Sequence, residues 1–197
     1  DVGVINARFV RPLDTETMQQ YARRLLEQIA DPDPVLVGLS FGGMMAVEIS
    51  KLIPVKQIIL LSSAKCGKEL PPYFGLLRYI RIHQWLPFSW LKRLGVLSGN
   101  WLFGTESKTA SLLLRSVIRR TEEKFFRWAW EQIIHWNNET VPPDLFHIHG
   151  DHDRMLPIRY TRPAITVRKG SLLMVVNKPP QISIILQELI DGLGKDH

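Results

Sequence analysis

The feature that most constrains the fold is the turn G-L-S-F-G at residues 38–42. An apolar, β-branched run over residues 35–37 stops at this turn, and apolar residues with helical spacing follow it. The pattern predicts a buried strand, a sharp turn and a helix. In a G-x-S-x-G turn, Gly38 and Gly42 leave room for a strained backbone that lifts the Ser40 hydroxyl out of the sheet. Ser40 is therefore a candidate nucleophile.

Composition limits the class of protein. The chain has 197 residues, 45% of them hydrophobic, which suffices for one domain with a sizeable core. The net charge is +6, but there is no basic run of five, no zinc pattern and no Gly/Arg-rich arm, so we expect no nucleic-acid partner. The single cysteine, Cys66, excludes an internal disulfide and a multi-cysteine metal site and fits a reducing compartment. With no apolar run of 18 residues and no signal peptide, we expect a cytoplasmic protein without a membrane span.

The first 62 residues alternate between strand and helix patterns. A β-prone segment at 2–9 precedes a helix that Asp14 is predicted to cap, with one apolar stripe formed by Met18, Tyr21, Ala22, Leu25, Leu26 and Ile29. The helix after the turn is expected to reach residue 52, and 55–62 is a further buried-strand candidate. The order strand, helix, strand, helix, strand predicts a doubly wound, mainly parallel α/β sheet with helices on its faces.

The alternation of strand and helix patterns stops between residues 69 and 139, which are helical in pattern and contain all six tryptophans. One interpretation is a helical cap inserted over the carboxyl ends of the strands, where ligands bind in open α/β sheets. The other is an ordinary helical packing layer with a solvated basic face. The first divides the chain into a core (1–68 and 140–197) and a cap (69–139). Strands are then predicted at 145–150 and 164–168, and a closing helix at 180–189 with Gly192 just past its end.

A serine hydroxyl needs a base to take its proton and an acid to orient that base. The loop H-G-D-H-D-R-M-L-P at 149–157 follows a predicted strand and offers two carboxylates. It resembles the H-G-x-x-D-x-x-x-P turn of the α/β-hydrolase family, and the resemblance covers nearly the whole chain. It implies that Asp153 is the acid and that His149 orders the loop. Asp151 as the acid, or a solvated loop with no role, are the alternatives.

The resemblance also implies one oxyanion donor, the backbone N–H of Phe41, and a small acyl substrate with neither metal nor cofactor. In the family, the second oxyanion donor follows an earlier strand that lies, within the sheet, between the predicted strand at 2–9 and the strand before Ser40. In the sequence that earlier strand should come before residue 2, and it is absent. Its absence would leave backbone groups unpaired within the sheet. We therefore expect that residues precede Asp1 in the natural protein.

The histidine that serves the family as base is absent from its place before the closing helix. That loop reads K-G-S-L-L-M-V-V-N at 169–177, and Leu172, or as the alternative Ser171, occupies the position. Leucine cannot accept a proton. The other histidines that could serve are His83, His135, His152 and His197.

Two functions follow from these residues. The first is an esterase-like serine hydrolase for a small acyl substrate, with Ser40 as nucleophile and Asp153 as acid. The second is a catalytically inactive hydrolase-fold protein that binds a ligand or a partner, because Leu172 makes the base position apolar.

Overall fold

A computed structural model describes residues 4–80 and 85–193. Four parallel strands form one sheet in chain order: β1 (Val35–Leu39), β2 (Gln57–Leu61), β3 (Leu145–Gly150) and β4 (Ile165–Val167). Leu39 is in register with Leu61, and Leu61 with Ile148, so the carboxyl ends of β1, β2 and β3 meet at one edge. The loops that follow these strands are therefore close together.

Eight α-helices surround the sheet in the described part of the chain: α1 (Met18–Leu25), α2 (Phe41–Ser50), α3 (Pro72–Ile80), α4 (Phe88–Leu102), α5 (Lys108–Arg120), α6 (Glu123–Ile134), α7 (Met174–Asn177) and α8 (Pro179–Leu193). Within residues 4–80 and 85–193, none of the helices combines the length and apolar character needed to cross a bilayer.

Helices pack against both faces of the sheet. Because successive side chains of a strand point to opposite faces, Ile58 and Leu60 of β2 pack with α1 and α2, whereas Ile59 and Leu61 pack towards α8. All five residues of β2 are buried, as expected for a strand covered on both sides. The prediction of a doubly wound α/β fold is confirmed.

The predicted strand at 2–9 is wrong for the described residues, since 4–13 contain no regular structure. In the described part of the chain β1 pairs with β2 alone and is an edge strand, with Val37 49% exposed. The segment passes over the helices instead, where Phe9 contacts the rings of Phe41 and Phe125 at centroid distances of 5.6 and 5.5 Å. A β-prone sequence without an adjacent strand to pair with cannot form a ladder.

Several predicted boundaries also move. Thr17, not Asp14, caps α1, because its hydroxyl accepts from the Gln20 N–H while the Gln20 side chain accepts from the Thr17 N–H. The helix after the turn ends at Ser50, and Gly192 lies inside α8 rather than beyond it. Four described helices, α3 to α6, lie between β2 and β3, in the segment predicted as a cap; the division into core and cap stays a prediction.

Candidate functional site

The turn after β1 has the strained geometry that its sequence predicts. Ser40 has φ 50° and ψ −118° and stands at the amino end of α2. Its N–H donates to the Leu61 carbonyl at 2.9 Å, and its own carbonyl accepts from the Gly43 N–H at 2.9 Å and from the Ser63 hydroxyl at 2.7 Å. These bonds fix a backbone conformation that a non-glycine residue rarely adopts.

Steric room at the turn comes from Gly38 and Gly43. A Cβ on Gly38 would lie 2.4 Å from the Gly42 carbonyl oxygen, and one on Gly43 would lie 2.5 Å from the Ser63 Oγ. A Cβ on Gly42 would meet nothing nearer than a Phe9 ring atom at 4.0 Å. The expectation that Gly42 supplies the room is therefore wrong. Gly43, which sequence reasoning missed, is the second glycine that the packing requires.

Ser40 lines a small cavity of about 130 Å³ between the sheet edge and the inserted helices. Its walls are almost entirely apolar or aromatic, and the polar side chains that line it are three serines, Ser40, Ser62 and Ser63. The inserted helices contribute Phe74 of α3 and Trp130 and Ile133 of α6, and Phe103 follows α4 directly. This part of the chain therefore forms one side of the cavity.

Asp153 is buried in the loop after β3, and its side chain is 0% exposed. Its Oδ1 accepts from the Met155 and Leu156 N–H groups, both at 2.9 Å. Its Oδ2 is buried and has no hydrogen-bond partner among the described residues. Burial raises the pKa of this carboxyl to about 6, and the two N–H bonds oppose the rise. The group is thus ordered on one oxygen and unsatisfied on the other.

Two buried histidines lie beside Asp153. The His149 Nε2–H donates to the Leu156 carbonyl at 2.7 Å, so His149 orders the loop as expected, and its Nδ1 accepts from the His147 Nε2–H at 3.1 Å. The His149 Nε2 is also 3.5 Å from the Asp153 Oδ2. Burial lowers the pKa of both imidazoles, that of His147 to about 3, so we interpret this contact as neutral histidine beside a carboxyl rather than as an ion pair.

The structure distinguishes the two candidates for the base position. Leu172 is buried and lines the Ser40 cavity. Ser171 faces a separate cavity of about 300 Å³, and its hydroxyl donates to the Gly104 carbonyl at 2.9 Å. Of the two candidates, the one that lines the same cavity as Ser40 therefore has a hydrocarbon side chain.

The alternative acid and bases lie away from this cavity. Asp151 is paired with His152 on the surface at 2.7 Å, and that hydrogen bond holds the pKa of the Asp151 carboxyl below its usual value. The His135 Nδ1 is 3.0 Å from the Glu131 carbonyl. Neither histidine lines the cavity, and His83 and His197 lie outside the described residues.

Sequence reasoning also missed Ser62 and Ser63. Both are buried, and Ser62, like Ser40, has a positive φ, of 45°. The signal was available in part, since two serines directly follow a buried strand whose end lies in register with the end of β1. That the Ser63 hydroxyl would hold the Ser40 carbonyl could not be read from the chain.

Comparison with known proteins agrees with this architecture. The model of the alpha/beta hydrolase family matches residues 7–177, which is most of the chain. The protein belongs to the α/β-hydrolase family. No curated protein sequence matches it.

Solved structures share the fold at low sequence identity. A malate-bound thermophilic esterase from Thermogutta terrifontis is 15% identical with a TM-score of 0.69, and the match covers 90% of this chain and 73% of the esterase chain. A putative non-heme bromoperoxidase from Mycobacterium tuberculosis is 13% identical with a TM-score of 0.67, covering 92% and 76%. A meta-cleavage product hydrolase from Pseudomonas fluorescens is 12% identical with a TM-score of 0.64, covering 93% and 75%.

Proposed function

We propose that this chain is an esterase-like serine hydrolase for a small acyl ester, with Ser40 as nucleophile and Asp153 as acid, and that its turnover is slow because Leu172 stands where the base is needed. The observation that carries the proposal is the strained Ser40 at the amino end of α2, on the wall of a small, mainly apolar cavity. A strained residue held by hydrogen bonds at the mouth of a helix is typical of a nucleophile.

The backbone at the start of α2 suits a developing oxyanion. Phe41 is the first residue of the helix, so its N–H has no carbonyl one turn earlier in the helix to bond. No backbone or side-chain acceptor for it occurs in the described residues. The positive end of the helix dipole adds to the attraction for negative charge at this point.

The cavity limits the size of the substrate. Its volume of about 130 Å³ is close to that of the engineered cavities of ~150 Å³ that accommodate benzene. The aromatic walls from Phe74, Phe103 and Trp130 favour an uncharged group. A short acyl chain therefore fits, with the inserted helices acting as its cap.

The base position explains the slow turnover. In a serine triad the acid accepts a hydrogen bond from the imidazole that deprotonates the serine. Here the Asp153 Oδ2 is buried without a donor, and Leu172 fills the cavity wall. The proton of Ser40 must then leave to water, and loss of one triad member costs about 10⁴- to 10⁶-fold in turnover. Leu172 specifically favours a second candidate, a ligand-binding protein that does not hydrolyse its ligand at all.

The test compares the native chain with Leu172→His and with Leu172→Asn, which is polar but not a base at pH 7. A fluorophosphonate probe followed by peptide mass spectrometry, and hydrolysis of p-nitrophenyl acetate, report on Ser40. We expect faint Ser40 labelling in the native chain and in Leu172→Asn, and a 10²- to 10⁴-fold faster reaction in Leu172→His, the usual contribution of a general base.

Ser40→Ala in the Leu172→His background is the control and should abolish labelling. Labelling of Leu172→His with no Ser40-dependent hydrolysis in the native chain would establish the second candidate. Absence of labelling in both proteins would contradict the nucleophile assignment.

A further inference from the structure

An exposed apolar stripe runs along α4. Trp90, Leu94, Leu97 and Trp101 recur at intervals of four, three and four residues, which places them on one face of the helix. Their exposed fractions are 59, 51, 80 and 64%. Trp101 lies eleven positions after Trp90 along the helix, so the stripe is about 17 Å long at 1.5 Å per residue.

Packing of α4 within the protein does not use this stripe. The helix contacts α5 through Gly95 and Gly99, where a Cβ would lie 3.7 Å from Ile118 and 3.2 Å from Leu114. These glycines point away from the stripe, roughly on the opposite side of the helix. Apart from the Arg154 side chain at Trp101, the stripe is largely exposed in the described part of the chain, and contiguous apolar surface of this kind marks an interaction site.

Positive charge is concentrated in the same part of the chain. Residues 70–121 contain eight of the 25 Lys and Arg residues but only one of the 19 Asp and Glu residues. The rest of the chain contains 17 basic and 18 acidic residues and is therefore almost neutral. The whole net charge of +6 therefore comes from this segment. Arg93 is exposed on α4 itself, and the Arg154 guanidinium lies 4.8 Å from the centre of the Trp101 ring at the end of the stripe.

We propose that α4 docks this protein on an anionic lipid surface, with the stripe in the interface and the surrounding basic residues over the headgroups. Tryptophan prefers the boundary between headgroups and acyl chains, leucine is buried on the acyl side, and Lys and Arg are attracted by anionic lipid. A second copy of the chain would bring together the basic residues beside the two stripes, Arg93 and Arg154 of each copy, and a nucleic acid gains nothing from Leu94 and Leu97. The charge pattern therefore selects the membrane.

The experiment is co-sedimentation of the full chain with vesicles of phosphatidylcholine alone and of phosphatidylcholine with about 30% phosphatidylglycerol. We expect binding to the second, weakened by salt, and a blue shift of tryptophan emission. Leu97→Gln should weaken binding at least tenfold. Arg93→Gln should weaken it about fivefold, since one basic residue near an anionic surface is worth about 1 kcal/mol.

Matched substitutions elsewhere separate docking from general hydrophobicity and charge. Ile184→Gln removes an exposed apolar residue (60%) from α8, and Arg23→Gln removes an exposed charge from α1; both variants should bind as the native chain does. Equal loss in the stripe and control variants, or no binding to phosphatidylglycerol vesicles, would overturn the proposal. Self-association in the ultracentrifuge that Leu97→Gln abolishes, without vesicle binding, would assign the stripe to a second copy.

Discussion

Besides the loop after β2, which contains Ser62, two loops at the edge of the sheet follow parallel strands and each contains one non-glycine residue with a positive φ. After β1 it is Ser40, at φ 50°, and after β4 it is Lys169, at φ 53°. In the first loop the strained residue itself lines the cavity. In the second the strained lysine is exposed, and the cavity receives Leu172, three residues further on.

The comparison shows that backbone strain and chemistry are separable. Strain at Ser40 accompanies a hydroxyl on the cavity wall, whereas the similar strain at Lys169 is followed by a hydrocarbon side chain, that of Leu172, on the wall of the same cavity. A strained residue is therefore evidence of a tightly specified backbone, and its function depends on the side chains that the turn brings together.

The largest effect is expected from Gly38→Ala. Its Cβ would lie 2.4 Å from the Gly42 carbonyl oxygen, a backbone atom that cannot move without disrupting α2. We expect the free energy of unfolding in urea to fall by about 4 kcal/mol, because a clash in a closely packed turn is among the most costly substitutions.

Gly42→Ala is the matched control. Its Cβ meets only the edge of the Phe9 ring at 4.0 Å, and alanine is favoured over glycine in a helix, so stability should stay within about 1 kcal/mol of the native value. Equal destabilisation by the two substitutions would show that the close approach at Gly38 is not what specifies the turn.

The second prediction concerns Asp153, in the loop at 149–157 that follows β3. The folded-state pKa of Asp153, about 6, lies above the ordinary value of 3.8. Its contribution to stability is therefore complete below about pH 3.8 and is lost as the pH rises through about 6. Between pH 4 and 8, we expect the native chain to lose on the order of 3 kcal/mol relative to Asp153→Asn, which does not ionise.

Urea unfolding of both proteins at each pH measures this difference. His147 has the opposite sign, since its lowered pKa reduces stability as the pH falls below 6.5, but the histidine is present in both proteins and its effect cancels. Parallel pH profiles would mean that the Asp153 carboxyl is not desolvated.

The sequence predicted the parts of the site that are encoded locally. The turn at 38–42, the loop at 149–157 and the position of Leu172 can each be read from short patterns, and the cap of α1 could have been, because Thr17 and Gln20 form the T-x-x-Q pattern of a capping box. Predictions failed where the local structure depends on contacts with residues that are distant in the sequence. The β-prone residues 4–9 have no strand beside them, and the need for Gly43 arises from Ser63, twenty residues away.

The smallest effect is expected from Ser171→Ala, which tests whether Ser171 stabilises the loop after β4 and takes no part in the reaction of Ser40. Its hydroxyl donates to the Gly104 carbonyl and accepts from the Asn177 amide at 3.0 Å, and that amide also donates to the Gly104 carbonyl at 2.7 Å. Ser171→Ala therefore removes two bonds but leaves the carbonyl and the amide paired with each other. We expect a loss of about 1 kcal/mol in urea unfolding. Ser98→Ala, at an exposed helical serine, should cost nearly nothing. Fluorophosphonate labelling of Ser40 should be unchanged by Ser171→Ala, because Ser171 lines the other cavity. A change in labelling comparable to that of Leu172→His would instead place Ser171 in the reactive site, together with Leu172.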